Sequence, residues 1–409
     1  MTDLSVRPLR DGELRAYATA VGRAFGEPLA EDDFVSMQRT WELDRTYVAT
    51  DGEAVVGGGA SFSFQLTVPG GSAVGAAGVT AVGTMPTHRR RGALRLVMRE
   101  LLEDAQRHGD PIAILWASQG SIYQRFGYGI GTLRGEFEIL QARAAFRSEI
   151  PMEGSTRLIE LAEAARLFPP VYDRVRANRP GFISRTPTWW DSEILSDPER
   201  WRRGAGPKTF LVYEVDGQVE GYLIYRIKND WEQGASRSVL IARELIAATP
   251  RAQRELWRFC FSHDLMLSVR ATDQPVDHPL LLMLLEPGLL RFVLAGQLWL
   301  RIVDVPGALR ARTYATADRV VLEMTDPFLP ELAGRWLLDT TGDAPRIERT
   351  EAAADLALDV TDLASLYLGA FSTAELAGAG RTSELTAGIR ARVDAMFRTE
   401  RKPWCPTGF

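Results

Sequence analysis

The chain has 409 residues, of which 45% are hydrophobic and 25% are charged, and its formal net charge is −5. These proportions are typical of an ordinary soluble protein with room for two to four domains. A general nucleic-acid-binding protein is not expected, because its footprint would be a basic domain rather than an acidic chain with one basic turn. A mild excess of acidic groups would suit a cationic substrate.

Two segments bear on the compartment of the protein. The N-terminal stretch "MTDLSVRPLRDGE" has no apolar run behind its charges, so we expect no secretory signal. The most apolar segment, residues 278–300, is interrupted by Glu286, Pro287 and Arg291 and is too short between them to span a bilayer. The two cysteines and four histidines lack metal-ligand spacing. We therefore expect a cytoplasmic protein without a membrane segment, a disulfide framework or a metal site.

A β-loop-α-β unit is predicted over residues 76–118. "AAGVTAVGT" has the pattern of a strand, and "PIAILWAS" is an apolar run of strand length that follows the turn at Asp110. Between them, apolar residues recur at helical spacing and end at Gly109. This face comprises Leu94, Val97, Met98, Leu101, Leu102 and Ala105.

The sequence "THRRRG", residues 87–92, lies between the first strand and the helix, and we call it the basic turn. Amide groups of a first helical turn have no partners within the helix, and the helix dipole is positive there, so the position suits an anion. Gly92 lets the backbone approach a ligand, and arginine offers forked donors to phosphate oxygens. A solvated arginine run is the alternative. Neither a Walker loop nor a dinucleotide fingerprint is present, so a pyrophosphate site would be of another kind.

Two parts of the chain look like copies of one motif. Residues 46–64 and 209–228 each have the pattern of a hairpin around an Asp-Gly turn. The distance from Asp51 to Pro86 is 35 positions, and from Asp216 to Pro250 it is 34. In the second copy the helix begins "TPRAQRELWRFC", without the glycine or the arginine cluster. We expect two related domains, of which only the first binds the ligand, although chance similarity of two hairpins is the alternative.

The stretch "VGTMPTHRRRGALRLVMREL" resembles the acyl-CoA-binding motif of GCN5-related N-acetyltransferases (GNATs), which has the form Arg/Gln-x-x-Gly-x-Gly/Ala. Arg89 and Gly92 match this motif, whereas Leu94 stands where the motif has Gly or Ala. Together with "SQGSIYQRFGYG" and an aromatic chain end, "PTHRRRG" resembles the Eis family of multi-acetylating aminoglycoside acetyltransferases.

The resemblance implies an α/β (α+β) fold with three domains. These are a GNAT domain with the acetyl-CoA site at residues 1–146, a degenerate second GNAT-like domain at 147–292 and a sterol-carrier-protein-like domain at 293–409. The last region independently shows an α/β pattern, with the strand "RVVLEMTD" and the helix "DLASLYLGAF". The resemblance also implies a homohexamer, built as a dimer of trimers.

By the same resemblance, the protein transfers acetyl groups from acetyl-CoA to amines of aminoglycosides or similar polyamines. The implied acetyl-CoA contacts are Val82, Gly83, Thr84, Arg89, Arg90, Arg91, Gly92, Ala93, Leu94, Arg95, Ser118 and Gln119. Tyr123 matches the general acid, although the residues alone would favour a packed aromatic side chain. The α-carboxylate of Phe409 would be the base, in a tail where Trp404 and two prolines restrict the chain.

The candidate substrate contacts are Phe25 and Glu27, because acidic residues beside an aromatic ring suit a polycationic amine and the resemblance aligns Glu27 with an acidic pocket position. A helix start is the competing interpretation of this acidic segment, and it is favoured for Glu31, Asp32 and Asp33. Two other functions stay open: a non-catalytic acyl-CoA- or lipid-binding protein that keeps the fold, and a protein-lysine acetyltransferase. Tyr123 and the aromatic chain end favour an enzyme over the binding protein.

Overall fold

The computed structural model describes residues 4–148, 150–151 and 153–409. The first three residues of the N-terminal stretch "MTDLSVRPLRDGE" therefore lie outside the described residues. No helix within these ranges is both long and apolar enough to cross a membrane.

The first third of the chain contains the predicted hairpin and the β-loop-α-β unit. Its strands are β1 (Leu4–Pro8), β2 (Thr46–Asp51), β3 (Ala54–Thr67), β4 (Ala73–Thr84), β5 (Ile112–Trp116) and β6 (Gly129–Ile130). Its helices are α1 (Leu14–Phe25), α2 (Glu31–Thr40), α3 (Ala93–Arg107) and α4 (Gly120–Tyr123). The boundaries of β2, β3, β4, β5 and α3 agree closely with the sequence pattern.

The middle third repeats the hairpin and the following helix. Its strands are β7 (Leu133–Leu140), β8 (Ser155–Ile159), β9 (Thr209–Val215), β10 (Gln218–Lys228), β11 (Trp231–Glu232), β12 (Ala235–Ser236), β13 (Ser238–Ala247), β14 (Met266–Gln274) and β15 (Val293–Gly296). Its helices are α5 (Leu161–Arg176), α6 (Pro187–Trp189), α7 (Glu199–Arg202), α8 (Pro250–Phe261) and α9 (Leu280–Met283), with a π-helical segment at Trp190–Leu195.

The last part of the chain combines short strands with short helices. Its strands are β16 (Leu298–Ile302), β17 (Arg319–Thr325), β18 (Gly334–Asp339), β19 (Arg346–Arg349), β20 (Leu356–Asp359) and β21 (Ser383–Glu384). Its helices are α10 (Val305–Ala311), α11 (Val360–Tyr367), α12 (Thr373–Gly378) and α13 (Ile389–Phe397). Short 3₁₀ segments occur at Leu43–Arg45, Pro86–His88, Gln124–Phe126, Gln141–Arg143, Pro287–Leu290 and Pro330–Leu332.

Three larger sheets organise the described residues. The N-terminal sheet has the strand order β1-β2-β3-β4-β5-β16-β6, and the middle sheet has the order β15-β7-β14-β13-β10-β9-β8. The C-terminal sheet has the order β19-β18-β17-β20-β21. Chain order and sheet membership differ at β16, which belongs to the last part of the chain but pairs in the N-terminal sheet.

Two compact units result from these pairings. The first contains residues 1–132, 297–400 and 407–409, and the second contains residues 133–296 and 401–406. In the first unit, the apolar face of α3 packs on the N-terminal sheet, with Val97, Met98, Leu101 and Leu102 essentially buried. Each such side chain contributes about 1.5–3 kcal/mol when it leaves water. The predicted amphipathic helix is thereby confirmed.

A buried charge network fixes the far end of α3. Arg45 is 2% exposed, and its guanidinium donates to Asp104 at 2.9 Å and to Asp110 at 2.8 Å. The Tyr47 hydroxyl donates to the second carboxylate oxygen of Asp104 at 2.7 Å. Because a buried charge needs its partners, these bonds hold α3 in one orientation relative to β2 and β5.

Candidate active site

Strands β4 and β5 separate part-way along their length. Their parallel pairing joins residues 76–78 to residues 112–114, whereas β4 continues to Thr84. Beyond the last β4–β5 pair, β4 carries a bulge opposite Gly59 of β3. At this bulge Ala81 has a φ of 48°, and its carbonyl accepts a hydrogen bond from the buried Tyr17 hydroxyl at 3.0 Å. We call the separation after Gly78 the fork. It leaves one backbone edge of Val82, Gly83 and Thr84 without β5 as a partner.

The basic turn leads directly from β4 to the N-terminus of α3. Gly92 precedes the helix with a φ of 95°, a conformation that a residue with a Cβ adopts only at a cost of about 1–2 kcal/mol. A Cβ there would meet no atom within 4 Å, so the backbone angle and not space requires the glycine. The first turn of α3 carries no acidic residue. Its amides and the helix dipole are therefore available to an anion, as the sequence pattern predicts.

A cleft of about 810 Å³ lies between the fork and the basic turn, and we call it the donor cleft. Its volume is in the range of sites for small organic ligands. Most of the predicted acetyl-CoA contacts line it: Val82, Gly83, Thr84, Arg89, Arg90, Gly92, Ala93, Leu94, Arg95, Ser118 and Gln119. Tyr123 and Phe25 line it too. Sequence reasoning missed Ala24, His88, Ile122, Arg125 and Phe126, which complete the wall.

The three arginines of the basic turn differ in what they contact. Arg91 does not line the donor cleft, because its guanidinium pairs with Asp51 at 3.0 Å. Arg89 donates to the carbonyl of Ala24 at 3.0 Å and so ties the turn to the end of α1. Arg90 makes no hydrogen bond or ion pair within the described part of the chain, and its backbone is left-handed, with a φ of 62°. Of the three, Arg90 is the cation most available to a ligand.

Tyr123 is the last residue of α4 and is 6% exposed. Its ring lies 6.1 Å from that of Tyr128, in an edge-on arrangement. Burial raises the pKa of the Tyr123 hydroxyl above its ordinary value of 10.0. The hydroxyl has no hydrogen-bond partner among the described residues, although it belongs to the cleft wall. Such a group is protonated at neutral pH and can donate a hydrogen bond to a ligand.

The chain end lies beside the fork and not in the wall of the donor cleft. The Phe409 ring is 5.0 Å from that of Phe64 on β3. A Cβ on Gly78 would overlap the Phe64 ring and lie 3.3 Å from that of Phe409, so this site requires a glycine. Because Gly78 is the last residue of β4 that pairs with β5, the terminal ring packs at the level where the two strands separate.

The two predicted substrate contacts lie in different surroundings. Phe25 is half-exposed in the donor cleft, at the end of α1. Glu27 is exposed and does not line the cleft, and its backbone N–H donates to the carbonyl of Gly22 at 2.9 Å. Glu31 begins α2 and pairs with Arg15 at 2.8 Å, which agrees with the helix-start interpretation.

No group of three or more metal-ligating side chains is placed to hold an ion in the described ranges.

The second copy of the motif has a closed helix N-terminus. Thr249 caps α8 by accepting the Ala252 N–H at 3.2 Å, and its hydroxyl donates to Glu220 at 2.7 Å. Arg251 of the same turn donates to the Glu220 carboxylate at 2.8 Å. The amide and the cation that could meet an anion here are thus occupied by protein groups.

Comparison with known proteins shows which domains the chain contains. Two models of the acetyltransferase (GNAT) domain match residues 5–131 and 181–302, and a sterol carrier protein domain matches residues 305–406. The N-acetyltransferase Eis of Mycobacterium tuberculosis is 35% identical to the chain over 87% of its length and 89% of the relative's. The chain belongs to the Eis family of N-acetyltransferases.

Other relatives match this chain over almost all of its length. An uncharacterized N-acetyltransferase of Streptomyces avermitilis is 38% identical to it over 99% of both chains. The crystal structure of Eis1 from Mycobacterium abscessus matches with a TM-score of 0.86 and 31% identity, over all of both chains. These findings confirm the predicted family, the tandem GNAT domains followed by a sterol-carrier-like domain, and the N-acetyltransferase activity.

Proposed function

We propose that this Eis-family enzyme binds acetyl-CoA in the donor cleft and acetylates amines of aminoglycosides or similar polyamines, at one or several positions. The observation that carries the proposal is the convergence of three features in one cleft. The cleft is lined by the separated edge of β4, by the basic turn with its open helix N-terminus, and by Tyr123, whose hydroxyl has no partner among the described residues. Each feature meets a separate requirement of acyl transfer.

The residues of the donor cleft suit a pyrophosphate-bearing thioester. Arg89, Arg90 and the amides that open α3 would hold the pyrophosphate, because charge-assisted bonds to phosphate are strong and forked. Arg91 would contribute only its backbone. The free edge of Val82, Gly83 and Thr84 would hold the other end of the cofactor and supply N–H donors to the reacting carbonyl oxygen.

Acetyl-CoA supplies an acyl group activated as a thioester. Tyr123 donates its proton to the sulfur as the carbon–sulfur bond breaks, and the Phe409 carboxylate accepts a proton from the amine nitrogen as the amide bond forms. A carboxylate is a weak base for an ammonium group, so it acts by attraction and through an adjacent water or a desolvated position.

The substrate class is argued from charge and from an exposed aromatic ring. A net charge of −5, the half-exposed Phe25 and the nearby acidic Glu27 suit a polycation with an apolar face. Protein lysine offers the same amine chemistry and is the second candidate. The same proposal includes a cytoplasmic location and a homohexamer built from trimers. It also includes three domains, at residues 1–146, 147–292 and 293–409.

A screen of amines tests the proposal. Thiol release from acetyl-CoA should depend on an added aminoglycoside, and mass spectrometry should find acetyl groups on that amine. A lysine peptide acetylated faster than every aminoglycoside would support the second candidate instead. Acetyl-CoA binding without transfer to any amine would favour the non-catalytic protein.

Charge reversal in the basic turn tests the donor site. Arg90→Glu should raise the KM for acetyl-CoA about 10- to 100-fold, because one charge-assisted bond is lost and a repulsion is added. Steady-state kinetics measures this change, and circular dichroism should show an intact fold. Arg91→Gln is the matched control, since its guanidinium already pairs with Asp51, and it should change KM less. Equal effects of both variants would contradict the assignment.

The pH profile tests the state of Tyr123. Because burial raises its pKa, the proton-donating form persists above the ordinary value of 10.0. kcat should therefore not fall between about pH 7 and about pH 9, while kcat/KM for the amine rises as ammonium is deprotonated. A fall of kcat within that interval, absent from Tyr123→Phe, would show a lowered pKa and contradict the burial argument.

A further inference from the structure

A loop of the sterol-carrier-like domain is fixed to the N-terminal sheet. It comprises residues 326–329, directly after β17, and we call it the support loop. Asp326 accepts the backbone N–H groups of Phe328 at 3.1 Å and Leu329 at 2.9 Å. Its other carboxylate oxygen accepts Arg301 Nη2 of β16 at 2.5 Å, and both side chains of this pair are fully buried. The ion pair leaves the loop little freedom, because separating it would leave a charge buried alone.

Glycine at position 127 makes room for this anchor. A Cβ there would overlap the Arg301 guanidinium, and the φ of 84° also disfavours other residues. Gly127 directly follows the 3₁₀ segment that contains Phe126, a residue of the donor cleft. The anchor of the support loop therefore packs against Gly127, the residue that directly follows the cleft wall along the chain.

Phe328 carries the contact from the support loop to the donor cleft. It is 1% exposed, and its ring lies edge-on to that of Phe126 at 4.9 Å. The guanidinium carbons of Arg95 and Arg99 lie 5.1 Å and 5.2 Å from the ring centre. Arg99 also donates to the Phe328 carbonyl at 3.1 Å. Two cations of α3 therefore rest against one aromatic ring supplied by another domain.

Arg95 is the member of this pair that lines the donor cleft. Its side chain is long and would sample many rotamers without a partner, at a cost in entropy when a ligand orders it. A buried ring fixed by an ion pair restricts that freedom before the ligand arrives. The same contact supports Phe126, three residues after Tyr123.

We infer that the sterol-carrier-like domain completes the donor site, with Phe328 as a positioning residue that orients Arg95 for the phosphate groups of acetyl-CoA. This role rests on the proposed donor site and extends it to a domain that the acetyl-CoA motif does not include. Besides the chain end at Phe409, it gives the domain a second role at the active site, one that requires no lipid ligand.

Phe328→Leu tests the inference, because leucine keeps an apolar side chain in the core and removes the aromatic face. The KM for acetyl-CoA should rise about 3- to 10-fold, with kcat within about 2-fold of the parent value. Trp336→Ala is the control: Trp336 is 7% exposed on β18, and its indole contacts Arg349 at 4.4 Å instead of the cleft arginines. It should lower the melting temperature without raising KM. Phe328→Met replaces the leucine variant if the latter does not fold.

A double-mutant cycle separates positioning from general support. If Phe328 acts through Arg95, Phe328→Leu should add little to the KM increase of Arg95→Met, since contacting residues are not additive. An unchanged KM in a folded Phe328→Leu, or full additivity with Arg95→Met, would overturn the inference. Arg90→Glu keeps the two proposals apart: if it leaves KM unchanged, the donor site itself is wrong, whereas a large effect there with none at Phe328 refutes only the positioning role.

Discussion

Tyr123→Phe should lower kcat by at least about 100-fold and leave the KM for acetyl-CoA nearly unchanged. The substitution keeps the ring and its edge-on contact with Tyr128, so the packing of the cleft wall is preserved. What is lost is the proton for the departing sulfur. In the described chain the hydroxyl bonds no protein group, so its removal leaves no protein donor or acceptor unsatisfied.

Assays of thiol release from acetyl-CoA by the folded variant measure this fall in kcat. Tyr128→Phe is the matched control, because its hydroxyl is also buried without a partner among the described residues but Tyr128 does not line the donor cleft. Its kcat should stay within about 3-fold of the parent enzyme. If Tyr123→Phe retains full turnover, or if both variants lose it equally, Tyr123 is a packing residue and the proton comes from elsewhere.

Adding a few glycines and serines after Phe409 should abolish turnover, with a fall in kcat of at least about 100-fold. The extension moves the terminal carboxylate away from the fork but touches no residue of the donor cleft. Acetyl-CoA should therefore still raise the melting temperature of the extended enzyme. The same extension at the N-terminus is the control and should leave turnover intact.

Amidation of Phe409 by semisynthesis separates charge from position. It keeps the ring that packs on Phe64 and removes only the carboxylate, so the structure of the chain end should persist while turnover is lost. Full activity in both the extended and the amidated enzyme would exclude the terminal carboxylate as the base. Glu27, exposed two residues after the end of α1, would then be the next candidate.

Local patterns predicted the parts of the site that depend on neighbours in sequence. Helical spacing located α3, and the glycine before it has the left-handed angle that an open helix start requires. The three adjacent arginines look equivalent in sequence, however. Only the course of the turn, with its positive φ at Arg90, directs Arg91 to Asp51 and the other two to the cleft.

Contacts between distant residues were beyond these patterns. Nothing in the local sequence indicates that β16 pairs with β5, in a sheet whose other strands all lie before residue 131. Phe328 and Arg95 are likewise brought together by the fold alone, as are Phe409 and Phe64. The sequence around each of these aromatic residues does not show whether its side chain only fills the core or also supports a functional site.

Isothermal titration of the intact enzyme with acetyl-CoA tests the central claim most directly, namely that the donor cleft of the first GNAT domain is the acetyl-CoA site and that the second copy is closed. We expect one site per chain, with affinity reduced by Arg90→Glu and not by the equivalent change at Arg251, whose side chain already pairs with Glu220. Two sites per chain, or binding that Arg90→Glu leaves intact and Arg251→Glu removes, would contradict the account.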